Sequence, residues 1–165
     1  MLLRIDRGSK LNYGQLMKIY YEDNLIMAKQ RYGSHPQYRA LAMAEEDFYT
    51  YLTEVFFETK NAFCVIWSQE GEYRAALRLE PFWDGWLLSG ISTDPNHRRK
   101  GYAFTLLEQT LRAMPADARI YSHVEKNNLP SIALHEKCGF VRHLDYGRML
   151  DGSVLHKYWT FLWGK

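Results

Sequence analysis

The apolar residues of this chain change period near residue 62, and that change excludes both an all-helical and an all-β fold. Upstream the spacing is helical. Leu16, Ile19, Tyr20 and Met27 fall near one face of a 3.6-residue period. Gly33-Ser34-His35-Pro36 breaks that region. Phe48, Tyr51, Leu52, Val55 and Phe56 then repeat at i, i+3, i+4, i+7 and i+8, the stripe of a second amphipathic helix. From Ala62 to Trp67 the apolar run is nearly continuous and reads as a buried strand. Over Glu72 to Glu80 the pattern alternates. Tyr73, Ala75, Leu77 and Leu79 make one face; Arg74, Ala76, Arg78 and Glu80 make the other, which predicts a strand with one buried face. Pro81 to Gly85 reads as a turn and Trp86 to Ser92 as the returning strand.

The second half alternates element types. A helix over Gly101 to Met114 carries Ala103, Leu106, Leu107, Thr110, Leu111 and Met114 on one stripe. A strand over Arg119 to Glu125 follows. A short helix runs from Pro130 to Cys138, with proline in its first turn and Gly139 placed to end it. Phe140 to Tyr146 and Val154 to Trp163 read as strands separated by the turn residues Asp151-Gly152-Ser153. With Leu2 to Ile5 as an edge strand, the order predicts a mixed α/β sheet with helices packed on it. No repeat or low-complexity stretch divides the 165 residues, so a single domain over residues 1–165 is expected.

Composition narrows the function classes. The formal net charge is +2, which gives no footing for nucleic acid or an anionic membrane as partner. No apolar run approaches the ~20 residues of a membrane span. The opening ten residues lack the apolar core of a signal peptide, so the expected compartment is the cytoplasm. Cys64 and Cys138 have no metal-ligand spacing and read as structural; no metal site is expected. Aromatics reach 15%, which predicts an apolar cleft or an oligomer contact, such as a homodimer, as well as a core.

The chemistry concentrates in residues 91–104, where a strand ends, a basic loop follows and a helix begins. Helix N-termini leave N–H groups unpaired and carry about half a positive charge. Gly101 lets an anion approach the backbone, small Ala103 keeps the first turn open, and Arg98, Arg99 and Lys100 add cations. The segment reads as a phosphate or pyrophosphate cradle. It matches neither the nucleoside-triphosphatase loop nor the dinucleotide fingerprint. The plainer reading is a solvated basic loop before an ordinary helix.

A second segment, Asn128 to Phe140, stands one strand further on. Together the two resemble the GNAT superfamily of N-acetyltransferases. The family signature Arg/Gln-x-x-Gly-x-Gly/Ala is matched by Arg98 to Ala103, preceded by Asp94-Pro95. The later family segment is matched by Asn128 to Phe140, with His135 where the family usually has tyrosine. The resemblance covers about Trp86 to Phe140; upstream only the order of elements agrees. It implies the GNAT-like acyl-CoA N-acyltransferase fold, with about six to seven strands and about four helices.

The resemblance further implies acetyl-CoA as co-substrate and an amine acceptor, a small molecule or a peptide. The strand before the signature would bulge and splay from its neighbour. Gly90 would sit at the bulge; Ile91 and Thr93 would offer backbone groups to the pantetheine arm. The N–H of Thr93 or of a neighbour would also hold the thioester oxygen. Amides from Arg99 through Lys100, Gly101, Tyr102 and Ala103 to Phe104 would take the diphosphate, with Asn128 and Ser131 contacting the arm. An alkyl amine with a pKa near about 10 arrives protonated, so a base and an acid are needed. His135, at the family tyrosine, is the expected acid. Glu80, or His123 with Glu125 on the flanking strand, is the expected base. Tyr158, Trp159 and Trp163 would line an acceptor pocket or a dimer contact, with at least half of them packing as core. A non-catalytic acyl-CoA-binding module is the competing reading.

Overall fold

The computed structural model describes residues 1–164. Its centre is a seven-stranded sheet. The strands are β1 (Leu2–Ile5), β2 (Phe63–Gln69), β3 (Glu72–Phe82), β4 (Gly85–Thr93), β5 (Ile120–Glu125), β6 (Val141–Leu144) and β9 (Tyr158–Trp163), in the order β1-β2-β3-β4-β5-β9-β6. Short β7 (Gly147–Arg148) and β8 (Val154–Leu155) pair separately, so the single last strand expected from the sequence is two. Five helices flank the sheet: α1 (Tyr13–Ile19), α2 (Tyr21–Tyr32), α3 (Gln37–Tyr51), α4 (Tyr102–Ala113) and α5 (Leu129–Lys137). This is the mixed α/β architecture of the GNAT-like fold.

Two cores hold the layers together. On one face α4 buries Leu106, Leu107 and Leu111, and α5 buries Ile132, against Val65, Leu77, Leu79, Leu88 and Phe161. Each fully buried leucine contributes about 1.5–3 kcal/mol through removal of apolar surface from water. On the other face Leu16, Ile19, Leu52 and Phe56 cover Ile5, Cys64, Ile66 and Ala76. Ala28, Ala40 and Ala44 are the small residues buried where α2 packs on α3.

Because both faces are covered, β3 has no solvated face. Ala76 is buried, and so are Arg74 and Glu80. The alternation in the sequence distinguishes the two cores, not core from water.

The first helical region also differs from expectation. It is two helices, broken at Tyr20, whose backbone leaves the helical region (φ −92°, ψ 17°). Tyr20 points into the core and its hydroxyl donates to the Gly90 carbonyl at 2.5 Å. The break thus ties the N-terminal helices to the middle of β4. After α3 a π turn spans Leu52–Phe56, with the Phe57 N–H donating to the Leu52 carbonyl, five residues back, at 3.0 Å. The wider turn shifts the stripe: Leu52 and Phe56 are fully buried, but Val55 is turned outward and 55% exposed.

Candidate active site

The parallel pairing of β4 with β5 stops early. Trp86, Leu87 and Leu88 pair with Ile120, Tyr121 and Ser122; beyond them β4 runs to Thr93 and β5 to Glu125 without pairing to each other. The splay has a local cause. Ala76 is opposite Ser92, but Arg78 is opposite Ser89, so Leu77 faces both Gly90 and Ile91. That is a bulge with the extra residue on β4. Gly90 has φ +60°, which glycine adopts at no steric cost. A Cβ there would also lie 2.7–2.9 Å from the Arg78 guanidinium. The result is a V-shaped slot whose walls carry free main-chain donors and acceptors.

The signature loop closes one end of the slot. Asp94 caps its first turn by accepting from the Asn96 N–H at 3.0 Å. Its other oxygen faces His97 Nδ1 at 3.2 Å, while Arg74 reaches His97 Nε2 at 3.0 Å. This network fixes the loop. Arg99 (φ +62°) and Gly101 (φ +80°) then turn the backbone left-handed immediately before α4. The first helical bond runs from the Thr105 N–H to the Gly101 carbonyl at 2.9 Å, so the amides of Tyr102, Ala103 and Phe104 point out of the helix end. A Cβ on Gly101 would meet nothing within 4 Å: the space in front of it is open.

A cleft of about 690 Å³ joins loop and slot. Ile91, Thr93, Arg98 and Arg99 line it, followed by Gly101 to Phe104 and, from α5, Asn128 and Ser131. Of the residues expected to hold the coenzyme, Lys100 alone stands outside the lining. Asn128 caps α5, accepting from the Ser131 N–H at 3.2 Å. Arg98 reaches across to Glu22 at 2.7 Å. A second cleft, of about 610 Å³, lies on the other side of Gly90 and Ile91, between β4 and helices α2 and α3. Tyr20, Asp23, Arg78 and Tyr158 are in its wall. Asp23, missed in the sequence reading, has its carboxyl pushed up by burial, opposed by Arg78 and Arg98. It sits in an ordinary polar stretch of helix, where periodicity gives no signal.

The expected proton-transfer residues divide. His135 is 1% exposed and sealed between α5 and β5. Its Nδ1 donates to the Ser131 carbonyl at 2.7 Å, and its Nε2 faces the Ser122 hydroxyl at 2.9 Å. Both ring nitrogens are therefore engaged by protein groups in this structure. Burial holds its pKa below 6.5, despite the Ser131 carbonyl. His135→Phe is expected to lower stability by about 2–4 kcal/mol, because it leaves a buried hydroxyl and a carbonyl without their partner. Thermal unfolding measures it. The histidine is neutral when folded and protonates more readily unfolded, so the parent loses stability as pH falls below 6.5, and the variant loses less.

Glu80 and His123 line neither cleft, but they stand on the same sheet face as the second one. Glu80 shares the face of Arg78 and is 6% exposed. Burial pushes its carboxyl up, opposed by Arg78. His123 packs near Phe82 and Tyr158, with ring centroids 5.7 and 6.5 Å away. Its buried Nε2 has no partner, and burial keeps the ring neutral. Cys64 is buried, its thiol pushed up to about 12, and burial raises Cys138 as well. Neither has the low-pKa setting of an acyl-accepting thiolate.

Known proteins share this fold. Solved structures of similar fold include the PaiA N-acetyltransferase of Thermoplasma acidophilum in complex with coenzyme A (TM-score 0.67, 10% identity, 100% of this chain and 99% of that one). Another is an N-acetyltransferase of Staphylococcus aureus Mu50 (TM-score 0.64, 14% identity, 97% and 98%). At these identities the likeness is one of fold. Over 53 residues the chain is 43% identical to an N-alpha-acetyltransferase of Saccharolobus solfataricus, a stretch covering 30% of this chain and 32% of that protein. The chain therefore spans about a third of the length of the curated relative it matches. The model of the Acetyltransferase (GNAT) family matches residues 24–140, taking in the helices of the second cleft, the bulged strand, the signature loop and α5, and by that match the chain belongs to this family of acetyltransferases.

Proposed function

We propose that the protein transfers the acetyl group of acetyl-CoA directly to a primary amine, on a small molecule or a peptide. The observation that carries the reading is the slot between β4 and β5, open at the bulge and closed at the far end by free amides of α4. Those amides, with the helix dipole behind them, suit a diphosphate. The unpaired edge of β4 suits an amide-bearing arm that adds as a strand. When bound, acetyl-CoA supplies an activated acyl group at the Gly90–Ile91 end.

The rest falls to the chain. A β4 N–H near the bulge donates to the thioester oxygen and stabilises the charge that develops on it. The second cleft admits the amine from the opposite side of the bulge. Glu80, with its raised pKa, or neutral His123 takes the ammonium proton through water; the amine then attacks the thioester carbon, the C–S bond breaks as the tetrahedral intermediate collapses, and the second proton on nitrogen passes to the departing thiolate, on a route that does not pass through His135. Cys138 takes no part, so transfer is direct.

Calorimetry with coenzyme A tests the first step, with binding expected in the micromolar range; no heat at millimolar ligand overturns the reading. Release of free thiol from acetyl-CoA over a panel of amines tests the second. The sealed His135 favours one other reading, a domain that binds acyl-CoA without turnover. Binding with no thiol release over the whole panel would select it.

A further inference from the structure

We propose that the acceptor carries its own carboxylate beside its amine, as an amino acid does, and that Arg78 holds it; this rests on the acetyl-transfer reading above. Arg78 projects from β3 straight at the bulge, where its guanidinium occupies the space a side chain on residue 90 would need. It thus stands at the junction of the slot and the second cleft, and lines that cleft. The ring faces of Tyr20, Phe48 and Tyr51 hold it, at 5.3, 5.2 and 5.9 Å from their centroids.

Two of its three guanidinium nitrogens are unsatisfied. Its Nε and Nη1 are closed to solvent and have no hydrogen-bond partner. Among the described residues Arg31, Arg74, Arg98, Arg112, Arg119 and Arg142 each pair with a carboxylate, and Arg78 does not. Shielding a cation with unmet donors is costly unless a partner arrives. The arginine fork fits a planar carboxylate through two parallel bonds.

The rest of the cleft selects a zwitterion over a phosphate. Two carboxylates line it. Asp47 is engaged by the Tyr32 hydroxyl at 2.6 Å and by Arg31 at 3.3 Å. Asp23 forms no ion pair among the described residues and lies in the field of Arg98 as well as Arg78. A dianion would meet two negative groups here. An ammonium carboxylate meets one cation and one anion, each with the opposite charge. The volume, about 610 Å³, fits a molecule of amino-acid or short-peptide size.

The test pairs amines that differ only in the carboxylate. α-Amino acids, their amides and the amines left on decarboxylation are each supplied with acetyl-CoA, and thiol release gives kcat/KM. The acids are expected to exceed their uncharged partners by about 100-fold, the order a lost charged hydrogen-bond pair produces. In Arg78→Gln that ratio should fall to near one, through KM, while the coenzyme A dissociation constant stays at the parent value. Arg78→Lys, which keeps the charge without the fork, should retain part of the preference. Equal use of acids and decarboxylated amines by the parent overturns the proposal, as does an Arg78→Gln protein that keeps the preference. Coenzyme A binding with no turnover of any member overturns it and leaves the coenzyme slot standing. No coenzyme binding overturns the proposed function itself.

Discussion

Replacing Gly101 by aspartate is expected to weaken acetyl-CoA binding by at least about 100-fold, roughly 2.7 kcal/mol, while leaving the unliganded fold almost as stable. The two effects separate because of where the glycine sits. Its φ of +80° is left-handed, so any side chain there pays backbone strain of about 1–2 kcal/mol. Aspartate tolerates that region better than most residues. Its Cβ would meet no protein atom within 4 Å, so packing is untouched. A carboxylate at a helix N-terminus is itself favourable by about 0.3–1 kcal/mol. The fold therefore loses little, and unfolding should shift by only a few degrees. The ligand loses much: the carboxylate takes the space and the amides that the diphosphate needs, and repels it. Gly101→Ala, which adds bulk without charge, should lose about tenfold or less. Calorimetry with coenzyme A and thermal unfolding without it read the two halves. Unchanged affinity in Gly101→Asp would place the diphosphate elsewhere.

What the sequence disclosed follows from how local each signal is. The α4 loop was readable because its parts are contiguous: proline and aspartate to fix the turn, glycine to turn left-handed, an apolar stripe to seat the helix. The bulge at Gly90 came only from the resemblance, since a lone glycine in a strand is compatible with a bulge without specifying one. The break at Tyr20 was not, because it serves a bond to the Gly90 carbonyl 70 residues away. The π turn that expels Val55 has no composition of its own. The polar face of β3 looked solvated because Arg74, Arg78 and Glu80 are charged; in the fold Arg74 and Glu80 are buried and Arg78 half-buried, and sequence alternation cannot tell water from a second core. His135 was assigned by position. Its neighbours Ser122 and Ser131, one of them on another element, set its hydrogen bonds, and only folding brings them together. The same holds for the second cleft, assembled from α2, α3, β3 and β4 with no motif in any of them.

Glu80→Gln is expected to give a protein that is more stable and slower. Burial raises the Glu80 carboxyl above its ordinary value of 4.5, and the Arg78 guanidinium only partly offsets this. Between 4.5 and the raised value the folded chain keeps a proton that the unfolded chain has released. Stability therefore falls as pH rises through that window, and the deficit persists at neutral pH. Glutamine carries no charge to desolvate, so the variant should melt higher at pH 7, and its stability should lose that part of the pH slope. A group that costs stability in a covered site is a candidate for function. As the base, Glu80 must be ionised. Its loss should reduce kcat/KM for an alkyl amine by about 100-fold at pH 7, the lower end for a general base. The deficit should shrink as pH approaches the amine's own pKa of about 10, where the acceptor arrives deprotonated without help. A protein that melts higher and works at the parent rate at pH 7 would show Glu80 to be a buried charge with no part in the reaction. His123→Gln, measured over the same range, would then be expected to carry the deficit, since His123 is the other proton acceptor on that face with a nitrogen left unpartnered.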